Sequence, residues 1–349
     1  MKQFIPVFRP LRLICILLGI LIMSAGCSSR SEEPDPDPVT PQIIFLFSPG
    51  GLGDMSYNDC ILEGVQLFKK THPEIDIFLS SPPDMETAER IYTDWLKRPG
   101  SDIPVAFVLA SSDYQPLVDR YLEDYTLTEN KRILLFESTT RYADSRISTF
   151  QISMFGASYL AGAAAGRLCE GRRSLVLLGS SSDLPIRYAR DGFIAGLGTS
   201  NYDVEYLASD WTGFVMANAT YQRMSRWASD YGFIFPVAGG SNAGIYRYTR
   251  ENPESPLLAG MDIDQSSLSN NITGSVVKLF DRVIQEYFSL WLATGDFPAS
   301  TVYGLESGFV DWYLSPRYEA LLKEVKEANL REAVEKEKNY YEESRNQTP

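Results

Sequence analysis

The sequence predicts an α/β protein with two lobes, each built on a doubly wound parallel sheet, and a central cleft between them. From residue 43 onward, short apolar runs alternate with amphipathic helical segments, which is the pattern of consecutive βα units. This alternation occurs as two successive series that meet near residue 150. The chain has 349 residues, which is too long for one small core and suits two domains.

The first series begins with the buried strand IIFLF, followed by a helical stripe of Ile61, Val65 and Phe68. The amphipathic segment ETAERIYTDWLKR predicts a second helix. Further strands are predicted at 75–81, 105–111, 132–138 and 146–154. We expect the first lobe to comprise residues 42–150 and about 265–300.

The second series begins with a helix of small residues at 158–170 and ends in charged helical sequence. Between them we predict strands at 174–180, 204–209, 233–240 and 256–264, and helices at 188–198, 220–230 and 275–293. We expect the second lobe to comprise 151–264 and about 301–330, followed by a charged helical tail at 331–349. The chain is expected to cross between the lobes near 148–156, 262–274 and 295–305.

Composition excludes several classes of protein. With 44% hydrophobic and 22% charged residues, the chain has a globular composition. The net charge of -13 argues against nucleic-acid binding, which needs a basic face. His72 is the single histidine and no closely spaced Cys/His set occurs, so we expect neither a metal site nor a cofactor.

The first 26 residues have the pattern of a bacterial lipoprotein signal peptide. Lys2, Arg9 and Arg12 precede the apolar run LICILLGILIM, which is too short to span a bilayer, and the run ends in SAGC. Cys27 would then be lipidated after cleavage and would anchor the protein to a membrane of the bacterial cell envelope, on the periplasmic side or at the cell surface. An uncleaved anchor helix with an incidental cysteine is the alternative.

Residues 27–41 are acidic, rich in proline and without apolar periodicity, which predicts a flexible tether. The acidic cluster also resembles surface-export signals of some lipoproteins. Cys60 and Cys169 fall on separate predicted helices, so each is interpreted as a small buried hydrophobic residue rather than half of a disulfide.

Ligands of open parallel sheets bind outside the carboxyl ends of the strands. The loops at these ends read SPGGLGDMSYN, SSDYQ, SSSDLPIR, GGSNAG and DIDQS. The first loop lacks the Lys-Ser/Thr end of a P-loop and the spacing of a dinucleotide fingerprint. Asp54 or Asn58 could simply cap the following helix, but Tyr57 offers a flat face for stacking a base or sugar.

The chain resembles the basic membrane protein family, nucleoside-binding lipoproteins of ABC-type uptake systems. GGLGDMSYND resembles the family's GG-x-x-D-K-S-F-N signature, and further motifs follow in order over about residues 43–330: GASYLAGAAAG, DLPIRYARDGFIAGL, FPVAGGSNAGIY, LLAGMDIDQ, TGSVVKLFDRVI and YGLESGFVDW. The resemblance implies a periplasmic-binding-protein type I-like fold that closes around a purine nucleoside by hinge motion, with an ABC permease as partner.

The resemblance also implies the site residues. Tyr57 and Trp211 would stack on the base, with Phe214 as the alternative to Trp211. The remaining matched positions are Asn58 beside the base, Gly239 and Gly240 lining the cleft, and Asp262 and Lys278 holding the ribose. Other interpretations stay open: Asp262 as a turn residue, Lys278 as a solvated helix residue, and Trp211 as a core residue.

Two positions depart from the family pattern. Ser48 stands where the family has an acid near the base, and Met55 stands in place of the signature lysine. Because a serine hydroxyl makes a weaker bond than a carboxylate, we expect purine affinity to be weaker than is usual for the family, or the base preference to differ. Ser48 remains a candidate ligand-binding residue.

These observations favour a substrate-binding lipoprotein that captures a nucleoside-like molecule for an ABC permease. The alternative is a sensor or surface receptor of the same fold that binds another small molecule such as a sugar. An enzyme is disfavoured because His72 lies far from the predicted rim and no GxSxG, Walker A or HExxH motif occurs. Asp262 and Asp264 alone do not make the acidic metal cluster that nucleoside hydrolysis would need.

Overall fold

The computed structural model describes residues 39–169 and 171–347 and contains two six-stranded sheets. The first sheet has the order β11-β5-β4-β3-β1-β2, and all its pairings are parallel. Its strands are β1 Gln42–Phe47, β2 Asp76–Ser80, β3 Val105–Ala110, β4 Lys131–Phe136, β5 Ile147–Ile152 and β11 Thr301–Tyr303. β1, β3 and β4 are apolar on both faces because helices cover both sides of the sheet.

The helices of the first lobe connect these strands. They are α1 Tyr57–Thr71, α2 Met85–Lys97, α3 Gln115–Leu122 and α8 Phe280–Thr294. α1 packs on α8 so closely that a Cβ added at Gly64 would lie 2.9 Å from the backbone of Asp281. α2 begins where the Asp84 carboxylate accepts the backbone N–H of Thr87, and it buries Tyr92 and Trp95 against β3.

The second sheet has the order β12-β10-β9-β8-β6-β7, in which only the β10–β12 pairing is antiparallel among the described strands. Its strands are β6 Arg173–Ser180, β7 Tyr202–Ala208, β8 Tyr231–Val237, β9 Leu257–Asp262, β10 Ile272–Lys278 and β12 Val310–Leu314. Its helices are α4 Phe155–Leu168, α5 Leu184–Leu197, α6 Ala217–Asp230, α7 Asn242–Glu251 and α9 Glu319–Gln347. Two doubly wound parallel-sheet lobes were predicted, and this fold class is confirmed.

The chain passes between the sheets three times: the first passage lies within the expected range 148–156, the second lies beyond the expected range 262–274, and the third overlaps the end of 295–305. β10 pairs in the second sheet and β11 in the first, so the passages lie at 153–154, 279 and 304–309. The predicted helix at 275–293 is in fact strand to Lys278 and helix from Phe280. The β-branched pair Val276 and Val277 favours the strand, which pairs with β9 on one side and β12 on the other, and both side chains are buried.

α9 is a single helix of 29 residues that packs back onto α4. Its buried Glu337 carboxylate accepts hydrogen bonds from the Ser153 hydroxyl at 2.5 Å and from the backbone N–H groups of Gly156 and Leu305 at 3.0 and 2.6 Å. Ser153 and Leu305 lie at two of the three passages between the sheets. The C-terminal helix is therefore tied to the hinge region.

The predicted signal peptide (1–26), the lipidation site Cys27 and nearly all of the predicted tether (27–41) lie outside the described residues. Within the part of the chain that the structure describes, no helix is long and apolar enough to cross a membrane. Cys60 and Cys169 are buried free thiols, in agreement with their interpretation as small buried residues rather than halves of a disulfide.

Candidate ligand-binding cleft

Strand ends of both sheets surround one cavity of about 80 Å³. Its walls come from the carboxyl ends of β1, β3, β4 and β5 of the first sheet and β6, β7, β8, β9 and β10 of the second, and from the segments that follow them. The lining residues used below are Ser48, Asp54, Tyr57, Asn58, Asp113, Glu137, Asp183, Phe214, Gly239, Asp262 and Lys278. The cavity thus lies where ligands of parallel sheets bind, outside the carboxyl ends of the strands.

A buried lysine between two carboxylates forms the charged centre of the cavity. Lys278 Nζ lies 2.8 Å from Glu137 Oε1 and 3.9 Å from Asp262 Oδ1, and all three side chains are at most 7% exposed. Ser56 donates a 2.5 Å hydrogen bond to Asp262 Oδ2. Glu137 Oε2 has no hydrogen-bond partner. The centre therefore keeps a free acceptor for a ligand that brings donors.

The two carboxylates are held by unusual backbone conformations. Glu137 has φ +59° and Asp262 has φ +67°, in the left-handed region that residues with a Cβ seldom adopt. Each residue directly follows or ends a central strand, β4 and β9 respectively. Such strain persists where surrounding structure enforces it and is commonly found at binding sites.

Burial and the attraction between opposite charges have opposing effects on the pKa values in this charged centre. Burial acts to lower the pKa of Lys278, but the carboxylates of Glu137, Asp262 and Asp183 outweigh it, and the pKa of the lysine is raised. Burial raises the pKa of Glu137 and of Asp262, and Lys278 opposes that rise in both. The pKa of Lys278 is raised above its ordinary value, so the ammonium is charged at neutral pH.

Tyr57 and Phe214 supply the aromatic walls. The Tyr57 ring stands edge-on to Phe280 at 5.3 Å, the Lys278 ammonium lies 5.1 Å from its centroid, and its buried hydroxyl has no hydrogen-bond partner. Phe214 lies over two glycines: a Cβ at Gly179 would come within 2.5 Å of its ring, and one at Gly239 within 3.3 Å. Because these two glycines have no side chains, the Phe214 ring fits over them and reaches the cavity.

The first loop is organised around Asn58. Its Nδ2 donates to Ser48 Oγ at 2.9 Å and to the Gly51 carbonyl at 3.0 Å, and its Oδ1 accepts the Ser48 N–H at 3.2 Å. Asp54 accepts the backbone N–H groups of Ser56 and Asn58. Turn stabilisation and helix capping therefore account for both side chains, while both also line the cavity.

Two further carboxylates face each other from opposite lobes. Asp113 follows β3, and Asp183 is the N-cap of α5, where it accepts the backbone N–H of Ile186. Burial and the nearby Asp113 raise the pKa of Asp183 to about 7. Burial likewise raises the pKa of Asp54 to about 6. The second half of the cavity is thus acidic and lacks a cation of its own.

Most of the predicted site residues come together. Ser48, Tyr57, Asn58, Gly239, Asp262 and Lys278 all line the cavity. Gly240 lies just behind the wall, where its Cβ would be 3.3 Å from Asp54. Trp211 does not line the cavity; Phe214, the alternative to it, does, because the glycines beneath Phe214 leave it the room.

Sequence reasoning missed Glu137, Asp113 and Asp183. Asp113 and Asp183 stand in the loops SSDYQ and SSSDLPIR, which the sequence predicts to lie at the ligand-binding ends of the strands. Their position in these loops was therefore a signal that could have identified them. Glu137 stands near the end of the run RILLFES, where a single acid usually indicates that the strand ends at the protein surface. Nothing in the local sequence indicates that this acid is buried against a lysine 141 residues away. Among the described residues, no group of acids, histidines or cysteines could hold a metal ion.

Residues 42–346 match the family model Bmp, described as ABC transporter substrate-binding protein PnrA-like. The chain belongs to this family. The sequence resemblance is thereby confirmed, and the family is one of ABC transporter substrate-binding proteins. A search of curated proteins found no match.

Solved structures share the fold at low sequence identity. A solute-binding protein of an ABC transporter system from Aeropyrum pernix K1 is 16% identical with a TM-score of 0.67, over 83% of this chain and 81% of that chain. A transcriptional activator of the comK gene from Bacillus halodurans is 14% identical with a TM-score of 0.61, over 82% and 95%. A carbohydrate transporter solute-binding protein from Agrobacterium radiobacter, in complex with D-arabinose, is 15% identical with a TM-score of 0.58, over 82% and 99%.

Proposed function

We propose that this substrate-binding protein captures a nucleoside-like molecule in the cleft and delivers it to an ABC permease. The observation that carries this proposal is the buried centre of Lys278, Glu137 and Asp262, set beside aromatic walls from both lobes. Carboxylates with free acceptor capacity suit the hydroxyls of a ribose, and aromatic faces suit a base. The cavity brings the carboxylates and the aromatic rings together within one enclosed space.

The energetics of this arrangement fit a micromolar ligand. Each charge-assisted hydrogen bond from a ribose hydroxyl to Asp262 or Glu137 contributes about 1.5–3 kcal/mol. Stacking a base on Tyr57 or Phe214 contributes roughly 1–3 kcal/mol per face. Two bonds and two faces reach the ~8 kcal/mol of a micromolar site.

Base preference should differ from that of the family. Ser48 replaces an acid, and its hydroxyl is already engaged with Asn58. Asp54 lies on the same wall, but it is committed to backbone N–H groups of the loop. We therefore propose weaker purine affinity than is usual for the family, or a different base.

A receptor or sensor that binds a sugar is the second candidate. It is favoured by the carboxylate-rich centre, since acids accept sugar hydroxyls equally well, and two of the fold relatives are complexes with D-arabinose and myo-inositol. Those ligands belong to proteins at most 15% identical to this one. The aromatic walls on both sides of the cavity favour the nucleoside.

Membrane attachment through a lipid on Cys27 is part of the proposal. It rests on the basic start, short apolar run and SAGC of the N-terminal sequence. Mass spectrometry of the protein from its native bacterium should find an acylated N-terminal Cys27 and no peptide from residues 1–26. An intact Met1 peptide would contradict it.

Calorimetry with a panel of nucleosides and simple sugars tests the ligand, and Asp262→Ala tests the site. We expect a nucleoside to bind, and Asp262→Ala to weaken it about tenfold to a hundredfold because ~1.5–3 kcal/mol of charge-assisted bonding is lost. Asp264→Ala is the matched control, since this neighbouring acid is exposed. Binding of a sugar with no nucleoside binding at millimolar concentration would overturn the nucleoside proposal.

A further inference from the structure

A second, larger space adjoins the cavity. It measures about 350 Å³, against about 80 Å³ for the cavity itself. Both are lined by Ser112, Asp113, Glu137, Asp183 and Pro185, so one opens beside the other. The additional wall is formed by the start of α3, by β5 and by the start of α5.

This second space is acidic. Asp113, Asp119, Glu137 and Asp183 line it, and no lysine or arginine is among its lining residues within the described chain. Glu137 is paired with Lys278. The other three acids make no ion pair in the described part of the structure; Asp119 instead accepts a hydrogen bond from the Tyr142 hydroxyl at 2.6 Å. A negatively charged group such as a phosphate would be repelled here.

Buried acceptors without partners point to a ligand. Gln151, on β5, is 1% exposed, and its Oε1 makes no hydrogen bond. Glu137, on the boundary between the two spaces, is 5% exposed, and its Oε2 also makes none. Buried acceptors are nearly always satisfied in native proteins, so two of them along one acidic wall indicate that donors arrive from outside the chain.

We propose that this space is a second subsite that takes a positively charged amino group carried by the bound ligand. An ammonium supplies up to three donors and no acceptor, which matches a wall of acids and an unpaired amide oxygen. The proposal rests on the proposed function, because the ligand's sugar is held at Lys278 and Asp262 while the amino group extends past Glu137. The subsite would distinguish an aminonucleoside from a plain nucleoside and would reject a nucleotide.

Calorimetry with four probes tests this subsite: adenosine, 3′-amino-3′-deoxyadenosine, 5′-amino-5′-deoxyadenosine and adenosine 5′-monophosphate. We expect one of the two amino compounds to bind about tenfold or more tightly than adenosine, as a charge-assisted hydrogen bond provides. The monophosphate should bind more weakly than adenosine. The advantage of the amino compound should shrink by at least about threefold in Asp119→Asn and in Gln151→Leu.

The variants are chosen so that a failure to fold does not decide the result. Asp119 is exposed, and an asparagine keeps the acceptor for Tyr142, so this variant carries the test if Gln151→Leu does not fold. Glu254→Gln, an exposed acid outside both spaces, is the matched control and should keep the full advantage.

The outcomes separate the two proposals. If adenosine binds and neither amino compound gains affinity, or if the gain persists unchanged in Asp119→Asn, the second subsite is overturned and the nucleoside site stands. If none of the four probes binds while a simple sugar does, the nucleoside function fails, and the subsite as proposed fails with it.

Discussion

Lys278 of the second sheet lies with its Nζ 2.8 Å from Oε1 of Glu137, which follows a strand of the first sheet. This ion pair joins the lobes at the floor of the cleft and is 3% exposed on both sides. A buried pair is a weak source of net stability, but it is costly to break from one side. The same ion pair therefore holds the two lobes together and forms the charged centre of the cavity.

Replacing the lysine alone should destabilise the protein strongly. Lys278→Met leaves Glu137 and Asp262 buried without their cation, and we expect the free energy of unfolding to fall by about 3–5 kcal/mol. Denaturant unfolding monitored by fluorescence measures it. Lys326→Met is the control, because its pair with Asp311 is partly exposed and should cost about 1 kcal/mol or less. Equal losses in the two variants would contradict a special role for Lys278.

The two aromatic candidates for the second stacking wall can be told apart. Phe214 lines the cavity and Trp211 does not, although both belong to the same short turn. Phe214→Ala should weaken nucleoside binding by ~1–3 kcal/mol, since one stacking face is lost. Trp211→Ala should leave the affinity within about twofold. Calorimetry of both variants decides it, and a larger effect of Trp211 would reverse the assignment.

Asp183 makes a distinct contribution to the pH dependence of stability. Burial, Asp113 and Glu137 raise its pKa from 3.8 to about 7, against the opposing pull of the Ile186 N–H and Lys278. The folded state therefore binds more protons than the unfolded state between these values, so stability falls as pH rises through this window. Asp54, with a pKa of about 6, acts in the same direction.

Asp183→Asn should flatten this slope while preserving the helix cap, because asparagine caps helices as well as aspartate does. The measurement is the free energy of unfolding of wild type and variant at pH 4 and pH 7, near the two ends of the window. The variant should lose less stability than the wild type between them. Parallel curves would show that Asp183 ionises normally in the folded protein.

Local patterns were sufficient for the fold but not for the site. Alternating apolar and amphipathic segments predict both sheets, because each βα unit is defined by residues close in sequence. The sequence predicts one helix over 275–293; the β-branched Val276 and Val277 favour a strand locally, and pairing with β9 and β12 forms it. Long-range pairing of this kind is not encoded in any short window.

The site residues also differ in whether the local sequence could reveal them. Asp262 and Lys278 were found through family motifs, whereas Glu137 was not, because its role depends on a side chain from the other lobe. The choice between Trp211 and Phe214 turned on Gly179, which lies in β6, whereas both aromatic residues lie in the short turn after β7. Contacts between distant segments decide which rim residues reach the cavity.

The C-terminal helix should contribute to stability through Glu337. Its carboxylate accepts hydrogen bonds from Ser153, Gly156 and Leu305, and the close approach depends on Gly304, where a Cβ would lie 2.4 Å from Oε2. Glu337→Ala leaves these donors buried and unpaired, so we expect a loss of about 1–3 kcal/mol or more in the free energy of unfolding.

Glu335→Ala, on the exposed face of the same helix, is the matched control and should change stability by about 0.5 kcal/mol or less. Because Ser153 and Leu305 stand at two passages between the lobes, Glu337→Ala should also loosen the hinge. Hydrogen exchange should then become faster at residues 153–156 and 304–305 than in the control. Unchanged exchange there, with stability equal to that of Glu335→Ala, would show that α9 packs on the lobe without holding the hinge.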